Sequence, residues 1–122
     1  MIAGIGIDII EVPRVAEKLG KDSGFREKVF SAAEIGYCES QADKYQHYAV
    51  RFAAKEAFLK AIGKGLAAGF ELSCIEVRVD KWGKPEIQLS GDFSHHHAHS
   101  KIHVSLSHVR DVACAVVVIE QE

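Results

Sequence analysis

The feature that most constrains the fold is a long helical pattern over residues 43–63. Large apolar side chains recur there at helical spacing, and the alanines between them favour a helix. These residues are Tyr48, Phe52, Leu59 and Ile62 together with Ala53, Ala54, Ala57 and Ala61. Because apolar residues cover most of its circumference, the helix is expected at the centre of the molecule, where a charged face should meet another group. A chain of 122 residues has room for one hydrophobic core, so a single domain over residues 1–122 is predicted.

A strand is predicted over residues 2–10, where isoleucines alternate with small or polar residues. The isoleucines can face one side of this strand, while Gly6 and Asp8 face the other. The isoleucines are Ile5, Ile7 and Ile9.

Turn and cap residues divide the remaining sequence into short elements. Pro13 suits the first turn of a helix that ends near Gly20, and residues 31–34 fit a capping box that opens another helix. The other predicted elements are a strand over 73–80, a turn over 81–85, a strand over 86–89, a short helix over 92–99, and strands over 102–107 and 112–119. This order indicates an α+β fold with antiparallel pairs rather than a parallel α/β sheet. The last strand is almost uniformly apolar, so it is expected to be buried on both sides or to lie at a subunit contact.

Composition excludes several classes of protein. The formal charge of −2 excludes a globally basic nucleic-acid binder. No segment is apolar for long enough to span a bilayer, and the N-terminus lacks the pattern of a secretory signal. Cys38, Cys74 and Cys114 each lie in an apolar stretch, so buried reduced thiols and a cytoplasmic location are expected, with no membrane and no nucleic-acid partner.

Asp8 and Glu56 are the first candidates for chemistry. Considered alone, Asp8 is best explained as a solvated strand-end acid or a helix cap, and Glu56 with Lys60 as an exposed ion pair four residues apart. The alternative is a metal site, in which both carboxylates supply hard oxygen ligands. Gly63, Lys64 and Gly65 follow one turn later, where glycine allows close approach of a ligand and lysine offers charge to phosphate.

Two further stretches carry histidine. In residues 103–108, alternation puts His103, Ser105 and Ser107 on one face, and the strand ends in Ser107–His108 before a turn. A turn without function and a cleft holding hydroxyl and imidazole both remain open, whereas a serine hydrolase is disfavoured because no nucleophile elbow frames the serine. The histidines of residues 95–99 are expected on an exposed short helix, with zinc binding as the alternative.

Taken together, these stretches resemble the holo-(acyl-carrier-protein) synthase family of 4′-phosphopantetheinyl transferases. The resemblance lies in residues 4–14, residues 51–63 and residues 105–108, with Gly83-Lys84-Pro85 between the last two. It implies a 4′-phosphopantetheinyl transferase-like fold, in which an antiparallel sheet packs on a long central helix. It also implies Mg²⁺-dependent transfer of 4′-phosphopantetheine from coenzyme A to a serine of apo acyl carrier protein, which releases 3′,5′-ADP and supports fatty acid biosynthesis.

The resemblance also implies roles for individual residues. Asp8 and Glu56 are expected to hold Mg²⁺. For the transfer step we expect Glu56 to act as base, directly or through a metal-bound water, Lys60 to stabilise the leaving phosphate, and His108 to assist phosphate binding or proton transfer. The coenzyme A cleft is expected to include Lys60, Gly63, Lys64, Gly65, Pro85, Ser107 and His108. Family members are typically homotrimers with clefts between neighbouring subunits, which suits the apolar strand over residues 112–119.

A basic stripe on the first predicted helix is the candidate partner surface. Arg14, Lys18 and Lys21 follow helical spacing, and the acyl carrier proteins of this reaction are strongly acidic. A solvated helix face is the competing interpretation. Two other functions remain: an acyl-carrier-binding module without chemistry, and a zinc protein that uses the histidine run.

Overall fold

The computed structural model describes residues 1–21, 24–63 and 72–121. Its elements, in chain order, are β1 (Ile2–Glu11), α1 (Val12–Gly20), α2 (Phe25–Val29), α3 (Ala32–Glu39), α4 (Lys44–Ala61), a 3-10 helix (Leu72–Cys74), β2 (Ile75–Val79), β3 (Pro85–Leu89), α5 (Asp92–His96), β4 (Ser100–Val109) and β5 (Val112–Gln121). The strands form a three-stranded antiparallel sheet in the order β1-β5-β4 and an antiparallel hairpin of β2 and β3. The predicted α+β class is confirmed.

Helix α4 is the centre of the fold, as its sequence predicted. Every residue from Tyr48 to Leu59 is buried, including three that carry charge: Arg51, Lys55 and Glu56. An α-helix is buried on all sides only when other elements surround it. Here the strands β1 and β5 and the helix α1 contribute most of the contacts to α4.

Two glycines bring β1 against the backbone of α4. A Cβ atom added to Gly4 would overlap the carbonyl oxygen of Ala61, and one added to Gly6 would overlap the carbonyl oxygen of Ala57. The strand can therefore approach the helix only because these positions lack a side chain. Asp8 follows Gly6 on the same face of β1, so this contact carries Asp8 to the surface of α4.

The opposite face of the sheet is apolar and exposed. Ile5, Ile7 and Ile9 are 65%, 64% and 69% exposed, although large apolar side chains are usually buried. Strand β5 alternates between buried residues that face α4 and half-exposed residues that face outward, such as Val116. The expectation that this strand is buried on both sides is therefore wrong in the single chain, and its other form, a subunit contact, stays a prediction.

A buried ion pair joins the N-terminal helices to the β2–β3 hairpin. The ammonium of Lys55 donates hydrogen bonds to Glu34 Oε1 at 2.7 Å and to the carbonyls of Leu72 at 3.0 Å and Ile75 at 2.6 Å. Glu34 Oε2 in turn accepts from the backbone N–H of Val77 at 3.0 Å. Burial lowers the pKa of Lys55, and the neighbouring Glu34 carboxylate opposes this shift. Both side chains are fully enclosed and well satisfied, so the pair fixes four elements relative to one another.

Several element boundaries differ from the sequence-based predictions. The predicted capping box is present at Ser31 and Glu34. The strand predicted over residues 73–80 begins only at Ile75, because a 3-10 helix precedes it, and the final hairpin extends to a tight turn at residues 110–111. The short helix α2 was not predicted. None of the described helices combines the length and the apolar character needed to cross a membrane.

We expect Gly6→Ala to destabilise the protein by about 2–3 kcal/mol, because the new methyl group must push β1 away from the backbone of α4. Urea unfolding followed by circular dichroism measures this change. Gly36→Ala is the matched control: Gly36 lies inside α3 with open space around it, so the substitution should stabilise by about 0.5–1 kcal/mol. Equal stability of Gly6→Ala and the wild type would contradict the close strand–helix contact.

Candidate active site

Asp8 and Lys60 meet where β1 crosses the C-terminal half of α4. The Lys60 ammonium donates to Asp8 Oδ1 at 3.0 Å and to the carbonyl oxygen of Ile7 at 3.0 Å. The Asp8 side chain is 16% exposed and that of Lys60 is 56% exposed. Asp8 is therefore neither a freely solvated strand-end acid nor a helix cap. It faces a cation supplied by the central helix.

Glu56 lies on the same side of α4 and is buried, with 7% exposure. Its Oε1 atom has no hydrogen-bond partner among the residues that the structure describes. Burial and, to a lesser extent, the nearby Asp8 carboxylate together raise the pKa of Glu56 to about 7, against the opposing charges of Lys60 and Lys18. An exposed Glu56–Lys60 pair, which the spacing alone favoured, is therefore wrong, because Glu56 is enclosed and Lys60 bonds to Asp8 instead.

These residues line one cavity of about 580 Å³ between β1, α1 and α4. The charged side chains of Asp8, Glu56 and Lys60 line this cavity, and Arg14 and Lys18 of α1 add two further cations. Phe52 and Val112 supply apolar lining. The Lys18 ammonium stands over the rings of Phe25 and Phe52 at 5.7 Å and 5.6 Å, which holds its charge near the cavity. With the exposed Glu11 carboxylate, three carboxylates and three cations line this cavity.

The donors at this cavity fit a hard divalent cation. Asp8 and Glu56 supply carboxylate oxygens, and Glu56 Oε1 is buried without a hydrogen-bond partner in the described part of the chain. Mg²⁺ is usually held by one or two carboxylates together with water and substrate phosphates, so two ligands from the chain are sufficient. Within the described ranges, no three His, Cys, Asp or Glu side chains converge on a possible metal site. His95, His96 and His99 are exposed, so the histidine run offers no gathered set of zinc ligands there.

Four other predicted site residues are described by the structure and do not line this cavity: Gly63, Pro85, Ser107 and His108. Gly63 follows α4 with a φ of 77°, and Pro85 opens β3. Ser107 pairs with Cys114 on the outward face of the sheet, whereas His108 faces inward, with its ring 6.3 Å from that of His47. Lys64 and Gly65 lie outside the described residues.

The basic stripe on α1 is shorter than predicted. Helix α1 ends at Gly20, so Lys21 has extended backbone and lies beyond the helical spacing that relates Arg14 to Lys18. Its ammonium lies 3.5 Å from Glu17, and it borders a different depression from the one that contains Arg14 and Lys18. The stripe that reaches the cavity therefore consists of Arg14 and Lys18.

Sequence reasoning missed two residues near Glu56 that help to build the site. One is Lys55, its neighbour in the chain, whose buried bonds to Glu34 and the β2 region orient α4. The other is Val112, which lines the cavity from β5. Neither carries a local signal, since both act through contacts with residues distant in sequence.

Comparisons with known proteins identify the family of this chain. The family model of the 4′-phosphopantetheinyl transferase superfamily matches residues 4–117. A holo-(acyl-carrier-protein) synthase of Cytophaga hutchinsonii is 46% identical over 126 residues, which cover 99% of this chain and 99% of that protein. One of Syntrophus aciditrophicus is 46% identical over 124 residues, which cover 98% of this chain and 97% of that protein.

A solved structure extends the likeness to three dimensions. The holo-(acyl-carrier-protein) synthase of Bacillus anthracis, in complex with coenzyme A (3′,5′-ADP), has a TM-score of 0.83 and 36% identity. The alignment covers 100% of this chain and 99% of that one. With the family model matched over most of the sequence and relatives similar over their whole length, this chain belongs to the 4′-phosphopantetheinyl transferase superfamily.

Proposed function

We propose that this protein transfers 4′-phosphopantetheine from coenzyme A to a serine of apo acyl carrier protein, releases 3′,5′-ADP and so supports fatty acid biosynthesis. The observation that carries the proposal is the meeting of Asp8, Glu56 and Lys60 at one cavity, because docking alone needs no buried carboxylate beside a second one. The relatives named above are synthases of holo acyl carrier protein, and the Bacillus anthracis enzyme was solved with coenzyme A (3′,5′-ADP).

Asp8 and Glu56 are the proposed ligands of Mg²⁺. The ion, when bound, neutralises charge on the diphosphate of coenzyme A. Without a cation, the two carboxylates repel each other, which contributes to the raised pKa of Glu56. Two acidic groups of this kind are stable side by side only with a proton or a cation between them, and a hard cation suits their oxygen atoms.

The chain's own residues handle the proton and the phosphate. The carrier serine oxygen attacks the β-phosphorus of coenzyme A, a new P–O bond forms, and the P–O bond of the diphosphate bridge breaks to release 3′,5′-ADP. Glu56 is the proposed acceptor of the serine proton, because its carboxylate lines the cavity beside Asp8 and can accept a proton there. Lys60, with an exposed ammonium at the cavity, stabilises charge on the leaving phosphate.

Arg14 and Lys18 form the proposed docking surface for the carrier. Both line the cavity, so an acidic partner bound there would present its serine close to Asp8 and Glu56. Lys21 belongs to this surface only as its outer edge, because it lies beyond the end of α1.

A homotrimer is proposed from the outward face of the sheet. Three isoleucines on β1 are each more than half exposed, and a contiguous apolar face of this kind marks an interaction surface. Ser107 lies on the same face, so in a trimer it would stand at the contact between subunits, and His108 could join a cleft only through a neighbouring chain. A cytoplasmic location also stays a prediction.

Replacing either proposed metal ligand should abolish turnover without unfolding the protein. We expect Asp8→Asn and Glu56→Gln each to lower kcat at least about 100-fold, since each removes one of two charged ligands and leaves the volume of the side chain unchanged. The assay incubates protein, coenzyme A, Mg²⁺ and apo acyl carrier protein, and measures the mass gained by the carrier. Glu11→Gln, which removes an exposed carboxylate at the cavity rim, is the matched control and should stay near the wild-type rate. Near-normal rates for Asp8→Asn and Glu56→Gln would contradict the site.

The pKa of Glu56 predicts how stability depends on pH in the metal-free protein. Since its folded pKa of about 7 lies above its usual value of 4.5, the folded state binds more protons between these limits, and stability falls as pH rises through that window. In the presence of a chelator, Glu56→Gln should therefore melt about 3–5 °C above the wild type at pH 8 and close to it at pH 4. Added Mg²⁺ should raise Tm at pH 8 for the wild type alone. A constant Tm difference across this range would contradict the buried, ionisable Glu56.

The oligomeric state tests the apolar face. Sedimentation velocity should give the mass of three chains for the wild type, and Ile7→Asp should shift the protein towards monomers, because the new charge lies at the centre of the exposed face. The exposed Lys28→Asp change on α2 is the control and should leave the mass unchanged. A monomeric wild type would contradict the trimer but not the metal site.

A further inference from the structure

We propose that the Lys60 ammonium pairs with the Asp8 carboxylate in the metal-free protein and competes with the divalent cation for it. The proposal rests on the proposed function, because it concerns the same metal site. It adds that the Lys60–Asp8 ion pair weakens binding of the cation to the free protein. The diphosphate of the substrate relieves this competition by attracting the Lys60 ammonium away from Asp8.

The contacts of Lys60 support this competition. Its ammonium bonds to Asp8 Oδ1 and to the carbonyl oxygen of Ile7, each at 3.0 Å. One bond is to a charged group and the other to the fixed backbone of β1, so the ammonium is held against Asp8 from two sides. A cation approaching that oxygen meets a like charge already in place.

The choice of partner by Lys60 is informative. Glu56 lies one turn before Lys60 on the same helix, in the order that favours an ion pair, yet Lys60 bonds to Asp8. Within residues 1–21, 24–63 and 72–121, Glu56 Oε1 is buried without a hydrogen-bond partner. The metal-free site thus contains one carboxylate neutralised by a lysine and one that is still open, and a cation needs both.

The Lys60 ammonium can move from Asp8 to a substrate phosphate in the same cavity. Its side chain is 56% exposed, and a flexible four-carbon stem carries the ammonium. The ammonium can therefore leave Asp8 without any change in the backbone. It lines the same cavity as Arg14 and Lys18, which would gather phosphate groups of the substrate. When the substrate binds, the Lys60 side chain exchanges Asp8 for a phosphate as its ion-pair partner, and the Asp8 carboxylate becomes available to the cation. Cation and substrate then favour each other's binding.

Binding of Mn²⁺ to the free protein tests the proposal, with neither coenzyme A nor carrier present. The electron paramagnetic resonance signal of unbound Mn²⁺ gives the dissociation constant directly. We expect Lys60→Met to bind Mn²⁺ about three- to tenfold more tightly than the wild type, because the competing charge is removed. Lys60→Arg keeps a cation at this position and should bind like the wild type. Lys28→Met removes a charge of the same sign from an exposed site on α2 and should also bind like the wild type.

Each result decides the question. Equal or weaker binding by Lys60→Met, or a gain of the same size in Lys28→Met, overturns the competition. Tighter binding by Lys60→Met alone supports it, and Lys60→Gln is a second variant that should repeat the result. Asp8→Asn shows whether the titrated site is the right one, since it should lose saturable binding. If the wild type and all variants lack saturable binding, the metal site of the proposed function fails, which is a different outcome from equal affinities.

Discussion

The contact between β1 and α4 is the constraint on which the site depends. Gly4 and Gly6 let the strand backbone touch the helix backbone at Ala61 and Ala57, and no residue with a side chain could take their places without moving the strand. Asp8 comes two residues after Gly6 on the same face and lies beside Lys60. Two groups more than fifty positions apart in the chain therefore meet because two small residues allow close packing.

The central helix distributes its buried charges according to their partners. Lys55 pairs with Glu34 and also donates to two backbone carbonyls, while Glu34 accepts from a backbone N–H. The buried charge of Lys55 is therefore stabilised by groups of the protein itself. The guanidinium of Arg51 stacks over Tyr37 at 4.5 Å and donates to the carbonyl of His47. Glu56, the next residue after Lys55, has no comparable ion pair, and its Oε1 atom, like Nε of Arg51, is buried without a hydrogen-bond partner among the described residues. One helix thus holds both a structural ion pair and a carboxylate prepared for a ligand.

Local patterns allowed much of this architecture to be predicted from the sequence. The spacing of apolar residues predicted α4, the Ser31–Glu34 capping box predicted α3, and alternation placed Gly6 and Asp8 on one side of β1. The motifs around Asp8 and Glu56 were specific enough in combination to indicate the family, which the comparisons confirmed. These features depend on residues close to one another in the chain.

The rest could not be predicted because it depends on long-range contacts. Spacing favoured Glu56 as the partner of Lys60, whereas the packing of β1 supplied Asp8. Alternation predicted that the isoleucines of β1 share one face of the strand, but it could not predict whether this face lies toward α4 or away from it. They face outward. The partner of Lys55 lies 21 residues away on α3, at a distance that no helical periodicity reports.

The most direct measurement is a crystal structure of the protein grown with Mn²⁺ and 3′,5′-ADP, in which anomalous scattering locates the ion. The account predicts one strong peak within coordination distance of both Asp8 and Glu56, with Lys60 moved from Asp8 to a phosphate oxygen. A peak that contacts only one of these carboxylates, or an ion bound elsewhere while Lys60 remains on Asp8, would contradict it.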